Sequence, residues 1–267
     1  MYNFNFHRPT DLKGAAGFLK EEDAKLLAGG QTLIPTLKQR LAAPKHLVDL
    51  SGVEGLSGIE RKGRNVVIGA MMRHADVATS AVVRKAIPAL SGLAEEIGDP
   101  AVRNRGTIGG SLANNDPSAD YPSAALALGA TIITNKREIA ADDFFKGLFE
   151  TALEPDEIIV QVCFPVPMKA GYAKFPNPAS RYAMVGVFVA KDGKGVRVAV
   201  TGAGESGVFR APAMERALAK KFVAKSLDGI KVDASGLISD LHGAADYRAH
   251  LIGVMARRAV EAASSAK

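Results

Sequence analysis

Arg103-Asn104-Arg105-Gly106-Thr107-Ile108-Gly109-Gly110-Ser111-Leu112-Ala113-Asn114-Asn115-Asp116-Pro117-Ser118-Ala119-Asp120 carries the most informative pattern in this 267-residue chain. Gly106, Gly109 and Gly110 leave the backbone free to take φ > 0 and let another molecule approach the peptide N–H groups closely. Thr107, Ser111 and Ser118 add hydroxyls, Asn114 and Asn115 amides, Asp116 and Asp120 carboxylates. Arg103 and Arg105 stand just upstream as fixed positive charges. A diphosphate calls for such a density of small hydrogen-bonding groups, because successive backbone N–H groups form an anion-holding nest. An ordinary Asn/Gly-rich surface loop is the plain alternative.

A second stretch, Leu26-Leu27-Ala28-Gly29-Gly30-Gln31-Thr32-Leu33-Ile34-Pro35, reads as a short strand, a Gly-Gly turn and a helix start with Thr32 as N-cap. Such a turn presents free N–H groups and the positive end of a helix to phosphate oxygens. Neither the G-x-G-x-x-G spacing of a Rossmann fingerprint nor the G-K-[S/T] of a Walker loop is present.

Taken in this order, Ala28-Gly29-Gly30-Gln31-Thr32 and Gly106-Thr107-Ile108-Gly109-Gly110-Ser111-Leu112-Ala113-Asn114 resemble the FAD-binding subunits of molybdenum hydroxylases, the xanthine dehydrogenase relatives. The likeness is greatest to the medium (flavoprotein) subunits of aerobic carbon monoxide dehydrogenases. It extends from Phe6-His7-Arg8-Pro9-Thr10 to the late hallmark Ala245-Asp246-Tyr247-Arg248-Ala249-His250-Leu251. The fold it implies is α+β: a two-subdomain FAD-binding domain of the PCMH/vanillyl-alcohol-oxidase type at 1–168 (subdomains about 1–55 and 56–168), then a small α/β C-terminal flavoprotein domain at 169–267.

The resemblance also implies residue roles. Backbone amides of Gly29, Gly30, Gln31 and Thr32, flanked by Ala28 and Leu33, would cradle the diphosphate from one side. Gly106, Thr107, Gly109, Gly110 and Ser111 would hold it from the other, with the Thr107 hydroxyl as a donor. Asn114, Ser118 and Asp120 would bind ribityl or ribose hydroxyls, and Ala101 and Val102 would line a ring. Lys174 aligns with a lysine that reaches the flavin in relatives, where a cation favours the reduced anion; one more solvated lysine is the alternative. Tyr182, in a segment whose prolines depart from the family pattern, is a candidate stacking ring. Electrons would pass from a molybdenum-cofactor large subunit through a small subunit with two [2Fe–2S] clusters to FAD here, and on to an external acceptor such as a quinone. The complex would be a heterotrimer, dimerised. Carbon monoxide is the favoured substrate; N-heterocycles, aldehydes and aromatic acyl-CoA esters are the alternatives. No catalytic residue is expected on this chain.

Composition sets the limits. With 47% hydrophobic and 23% charged residues the sequence is ordinary for a soluble globular protein, and no apolar run reaches membrane-spanning length. The N-terminus lacks a signal-peptide pattern, and cytoplasm is the expected compartment, with association to the inner face of the cytoplasmic membrane open through the complex. The single cysteine, Cys163, excludes a cluster ligated by this chain alone and reads as a buried strand residue. Between Lys169 and Lys225, eleven Lys/Arg face three acids, a net of +8 against +6 for the whole chain. That basic band suits an acidic partner or a solvated face; without a helix-turn-helix, zinc finger or aromatic–basic interleaving it does not suit nucleic acid.

Strands are expected at Lys25–Ala28, His46–Leu50, Ala130–Thr134 and Ile158–Phe164, with hairpins around Arg61–Arg64 and Lys191–Gly195. Helices are expected from Thr10 or Asp11 to Lys20, Thr32 to Leu41, His74 to Ile97 with a break at Pro88, Tyr121 to Leu128, Ala213 to Lys220 and Tyr247 to Ala263. The domain boundary falls between Pro165 and Tyr172. A third glycine run, Gly202-Ala203-Gly204-Glu205-Ser206-Gly207, reads as punctuation between a strand and a helix entry. The five histidines show no ligand spacing, no G-x-S-x-G elbow is present, and Asp142-Asp143 reads as a solvated turn. A self-contained flavoenzyme related to vanillyl-alcohol oxidase and a non-catalytic basic binding protein are the competing classes.

Overall fold

The computed structural model describes residues 1–265. The chain opens with a three-stranded parallel sheet in the order β1 (Asn5–His7), β3 (His46–Asp49), β2 (Ala24–Leu27). Its two connections are the helices α1 (Leu12–Phe18) and α2 (Leu33–Lys38). Asp11 caps α1, its carboxylate accepting from Gly14 N–H at 2.8 Å, so the helix starts where the sequence places it but ends before Lys20.

A second sheet has the antiparallel order β4 (Ile59–Lys62), β5 (Asn65–Gly69), β10 (Ile159–Pro165), β6 (Thr131–Thr134), β7 (Glu138–Ala140). Between β5 and β6 runs the helical excursion that carries the organising loop: α3 (His74–Thr79), α4 (Ala81–Ala86), α5 (Pro88–Glu95), α6 (Pro100–Arg103), α7 (Ile108–Asn114) and α8 (Tyr121–Leu128). The expected break at Pro88 is present, and a second falls at Ser80, whose extended backbone ends α3 while its hydroxyl accepts from Val83 N–H to cap α4. After β7, α9 (Ala141–Phe144) leads into the small hairpin β8 (Phe145–Gly147) and β9 (Glu150–Thr151), and β10 then returns to the sheet centre.

The remaining strands form a four-stranded antiparallel sheet, β11 (Lys169–Pro176), β12 (Ala183–Lys191), β13 (Val196–Thr201), β14 (Phe209–Arg210), followed by α10 (Pro212–Lys220) and α11 (Ala245–Ser265). The near-continuous apolar run of β12 has a reason: both its faces are covered. Val185, Val187 and Val189 join a core with Leu251, Ile252, Met255 and Val260 of α11. Phe188 and Ala190, on the opposite face, belong to the same cluster as Leu90, Leu112, Tyr121 and Phe164.

Two expectations need correction. Asp142 and Asp143 are exposed as expected but open the short helix α9 rather than a turn, and the Asp142 carboxylate pairs with Arg197 Nη2 at 2.6 and 2.7 Å, tying α9 to β13. Cys163 is half-buried on β10 rather than buried. Three cations of the basic band, Lys174, Arg197 and Arg210, are engaged inside the fold with Asp120, Asp142 and Glu215, so the band offers a partner fewer charges than its sequence suggests.

Candidate cofactor site

The two glycine loops lie against each other. A Cβ on Gly29 would stand 2.2 Å from the carbonyl oxygen of Arg105 and 2.7 Å from Gly106 Cα, so only glycine permits this contact. Gly30 takes φ +72, turning the chain from β2 into α2. The N–H groups of Gly29, Gly30, Gln31 and Thr32 donate to no acceptor among the described residues. Thr32 occupies the N-cap place, but its hydroxyl makes no capping bond; it is α-helical in φ and ψ rather than extended.

The second loop works differently from its sequence reading. Gly106, Gly109 and Gly110 do not adopt positive φ. Gly106 and Gly109 make room: their Cβ atoms would fall 2.5 Å from His74 Nε2 and 2.6 Å from Ala70 Cβ. Thr107 caps α7, its Oγ1 accepting from Gly110 N–H at 3.2 Å. Ile108 N–H donates to Met72 O and Gly109 N–H to Ala70 O, at 3.0 and 2.8 Å. The amides of Gly109 and Gly110 are therefore occupied, which corrects the expectation that they face a diphosphate. Gly106, Gly109 and Gly110 nonetheless line a cavity, beside the side chains of Thr107, Ser111 and Asn114.

Both loops open on one cavity of about 550 Å³, within the usual range for small-ligand sites. Ala28, Gly29, Gly30, Gln31, Thr32, Leu33, Val102, Gly106, Thr107, Gly109, Gly110, Ser111, Asn114 and Asp120 all line it. Ala101, Ser118 and Lys174 do not. Ala101 is exposed on α6, and Ser118 sits in a turn with its N–H on Asp116 Oδ1 at 2.8 Å.

Lys174 is neither solvated nor on the wall. Its side chain is 2% exposed, and Nζ donates to Asp120 Oδ1 at 2.9 Å and to Glu96 O at 2.8 Å. Tyr172 Oη donates to the same Asp120 oxygen. Burial pushes the Asp120 carboxyl up, opposed by Lys174 and Tyr172. Asp116, also on the wall, is raised by burial against the pull of the Ser118 amide.

Other lining residues come from elements with no motif, and most of them escaped the sequence reading. Lys25, Leu153, Ile159, Ile97, Ser180 and Arg181 line the cavity, as do Leu26, Leu50 and Ile158, which pack together in one apolar cluster. Glu157 also lines the cavity, held by Arg137 at 2.9 and 3.0 Å, Thr134 Oγ1 at 2.7 Å and Glu154 N–H; the Arg137 hydrogen bonds draw its carboxyl down to about 2. His74, read from sequence as one of five scattered histidines, is 5% exposed on the wall with Nδ1 unpartnered. Burial, with Arg103 nearby, pushes its imidazole down to about 4, so it is neutral near pH 7. Its ring packs 5.3 Å from that of Tyr121. Tyr182, the candidate stacking ring, is half-exposed at the mouth.

The lining suits a dinucleotide: it combines the free amides around Gly30 with hydroxyl and amide side chains of the second loop and several apolar side chains. Among the described residues, no cluster of His, Cys, Asp or Glu gathers to hold a metal ion. Fold and cavity thus define a dinucleotide-binding flavoprotein domain followed by a sheet-and-helix unit. Residues 2–167 match the FAD binding domain in molybdopterin dehydrogenase. The chain belongs to that family, and its cofactor is FAD. It is 37% identical to the carbon monoxide dehydrogenase medium chain of Afipia carboxidovorans, over 98% of this chain and 97% of that one. It is 36% identical to the nicotine 6-hydroxylase medium subunit of Paenarthrobacter nicotinovorans, over 94% of each. Among solved structures it resembles carbon monoxide dehydrogenase from Hydrogenophaga pseudoflava with a TM-score of 0.88, at 36% identity and 98% coverage of both chains.

Proposed function

We propose that this chain is the FAD-carrying electron-transfer subunit of a molybdenum hydroxylase complex. It takes electrons from the [2Fe–2S] clusters of a small partner subunit, which receives them from a molybdenum-cofactor large subunit, and passes them to an external acceptor such as a quinone. The observation that carries this reading is the interlocked pair of glycine loops over one cavity, with the amides of Gly29 to Thr32 unengaged. Bound FAD supplies the chemistry of accepting and releasing electrons.

The protein's own residues position it. Gly29, Gly30, Gln31 and Thr32 offer N–H groups to the diphosphate, with the Thr107 and Ser111 hydroxyls opposite. The apolar side chains of Leu26, Leu50, Leu153 and Ile158 would suit a flat ring of the cofactor, and Val102 and Tyr182 would line the flavin or adenine. Asn114 and Asp120 reach ribose or ribityl hydroxyls. Ala101, Ser118 and Lys174 are off the wall, and Lys174 acts through Asp120.

Carbon monoxide is the substrate we assign to the complex, in a dimerised heterotrimer in the cytoplasm. A nicotine-hydroxylating relative stands at the same level of identity, which supports N-heterocycle oxidation as a second reading. Among the described residues no helix is long and apolar enough to cross a membrane. Acid precipitation of the purified chain should release FAD into the supernatant. The chain alone should oxidise neither carbon monoxide, purines nor aldehydes, but should be reduced once mixed with both partner subunits and substrate. Turnover by the single chain with no molybdenum or iron present would make it a self-sufficient flavoenzyme and end this assignment.

A further inference from the structure

Two sequence motifs take no part in the cavity wall: the glycine run that starts after Thr201, and the Ala245-Asp246-Tyr247-Arg248 hallmark at the start of α11. The structure joins them to the cavity and to each other. Gly202 N–H donates to Pro117 O at 2.8 Å, and the fully buried Thr201 hydroxyl lies 2.6 Å from Ala119 O and 3.1 Å from Pro117 O. Both carbonyls belong to the segment that carries Asp116, Ala119 and Asp120 onto the cavity wall. Behind this corner stands Arg248, 3% exposed. Its Nη1 donates to Gly202 O at 3.0 Å and Met184 O at 2.7 Å, and its Nη2 to both Asp240 oxygens at 2.8 and 2.9 Å. Gly202 takes φ +82, and a Cβ there would stand 2.3 Å from Ala183 O, so no other residue fits.

We propose that Arg248 and Thr201 are positioning residues for the flavin: Arg248 fixes the Thr201–Gly202 corner, and the corner fixes Pro117–Asp120, so that the C-terminal sheet sets the affinity of a cavity whose glycine loops lie elsewhere. This rests on the cavity being the FAD site. The physical reason is the hydrogen bond made by a fully buried hydroxyl. Without it Ala119 O loses its 2.6 Å donor, and the segment relaxes to find another. Asp116 and Asp120 shift with it, because they are its ends. Arg248 has no substitute, since one planar guanidinium serves two carbonyls and a carboxylate at once.

The test uses Thr201→Val, which keeps shape and removes the donor, Thr201→Ser, which restores it, and Arg248→Lys. Two readouts are taken on the full chain: amide hydrogen exchange over residues 117–120 without flavin, and FAD affinity with the visible circular dichroism of the bound flavin. Thr201→Val should speed exchange in that segment and weaken FAD binding about tenfold with an altered flavin spectrum. Thr201→Ser should match the parent on both, and Arg248→Lys should move both in the same direction as Thr201→Val. Parent-like exchange in Thr201→Val, or faster exchange with parent-like affinity and spectrum, would overturn the proposal even if Arg248→Lys fails to fold. A parent chain that binds no FAD would instead overturn the cofactor site, while exchange still decides whether the corner holds the segment.

Discussion

His74 shows how a single side chain was hidden in the sequence and has consequences in the fold. As a lone histidine it had no ligand spacing, and only the packing of α3 under Gly106 places it on the cavity wall. Its folded value of about 4 lies below the ordinary 6.5, so the neutral form is the one the fold accepts. The stability this gives is fully present above pH 6.5 and is lost as pH falls through 4, a loss of at most roughly 3 kcal/mol. His74→Phe should therefore flatten the decline of the urea midpoint between pH 7 and pH 4. A variant that declines as steeply as the parent would mean His74 is not the group responsible. Lys174 teaches the complementary lesson. The resemblance aligned it with a flavin-reaching lysine, whereas the fold buries it off the cavity wall against Asp120.

At the scale of elements, the loops were legible as a pair but not in their manner of working. Glycine content announced close approach in both. Which peptides remain free depends on Ala70 and Met72, carbonyls at the end of β5 that no local pattern connects to Gly109 and Ile108. This asymmetry separates the glycines by effect. Gly30→Val, strained at φ +72 and meeting only side-chain atoms of Ile34 and Leu27, should lose FAD at a fold cost of about 1–2 kcal/mol. Gly110→Val, whose Cβ meets the Thr107 hydroxyl at 2.9 Å, should also lose FAD while remaining folded. Gly109→Val, pressed against the Ala70 backbone, should not fold. Flavin content and melting temperature of the three variants check this, and full occupancy in both Gly30→Val and Gly110→Val would remove the diphosphate from these loops. Most strands and the longer helices were readable from periodicity, with ends off by up to three residues, whereas β11, the β8–β9 hairpin and the short helices α6, α7 and α9 were not. The break at Ser80 was missed because a serine that caps from within a helical run leaves the same apolar spacing on both sides.

At the scale of the whole molecule, we place a unit boundary between β10 and β11, but the apolar interior does not respect it. Phe188, Ala190 and Ala199 of the C-terminal sheet sit in one cluster with Leu90, Tyr121 and Phe164, and Arg197 reaches across to Leu126 O and Asp142. The chain should accordingly unfold in a single calorimetric transition, and Phe188→Ala, a cost of about 3–5 kcal/mol, should lower that one transition rather than split it. Two resolved peaks in the parent would contradict a shared core. Sequence composition could not reveal this, because a strand buried on both faces looks the same whichever neighbours cover it.

The contact of Gly29 with Arg105 bears on how far such a site can be moved. The turn after β2 keeps its amides toward the cavity with the second loop as its backing, and that backing arrives from a distant part of the chain. The Ala28–Thr32 segment is therefore not a portable module. Grafted into another scaffold it would bring its letters without its shape, and any transplant of this cradle has to carry both halves and the strand ends that seat them.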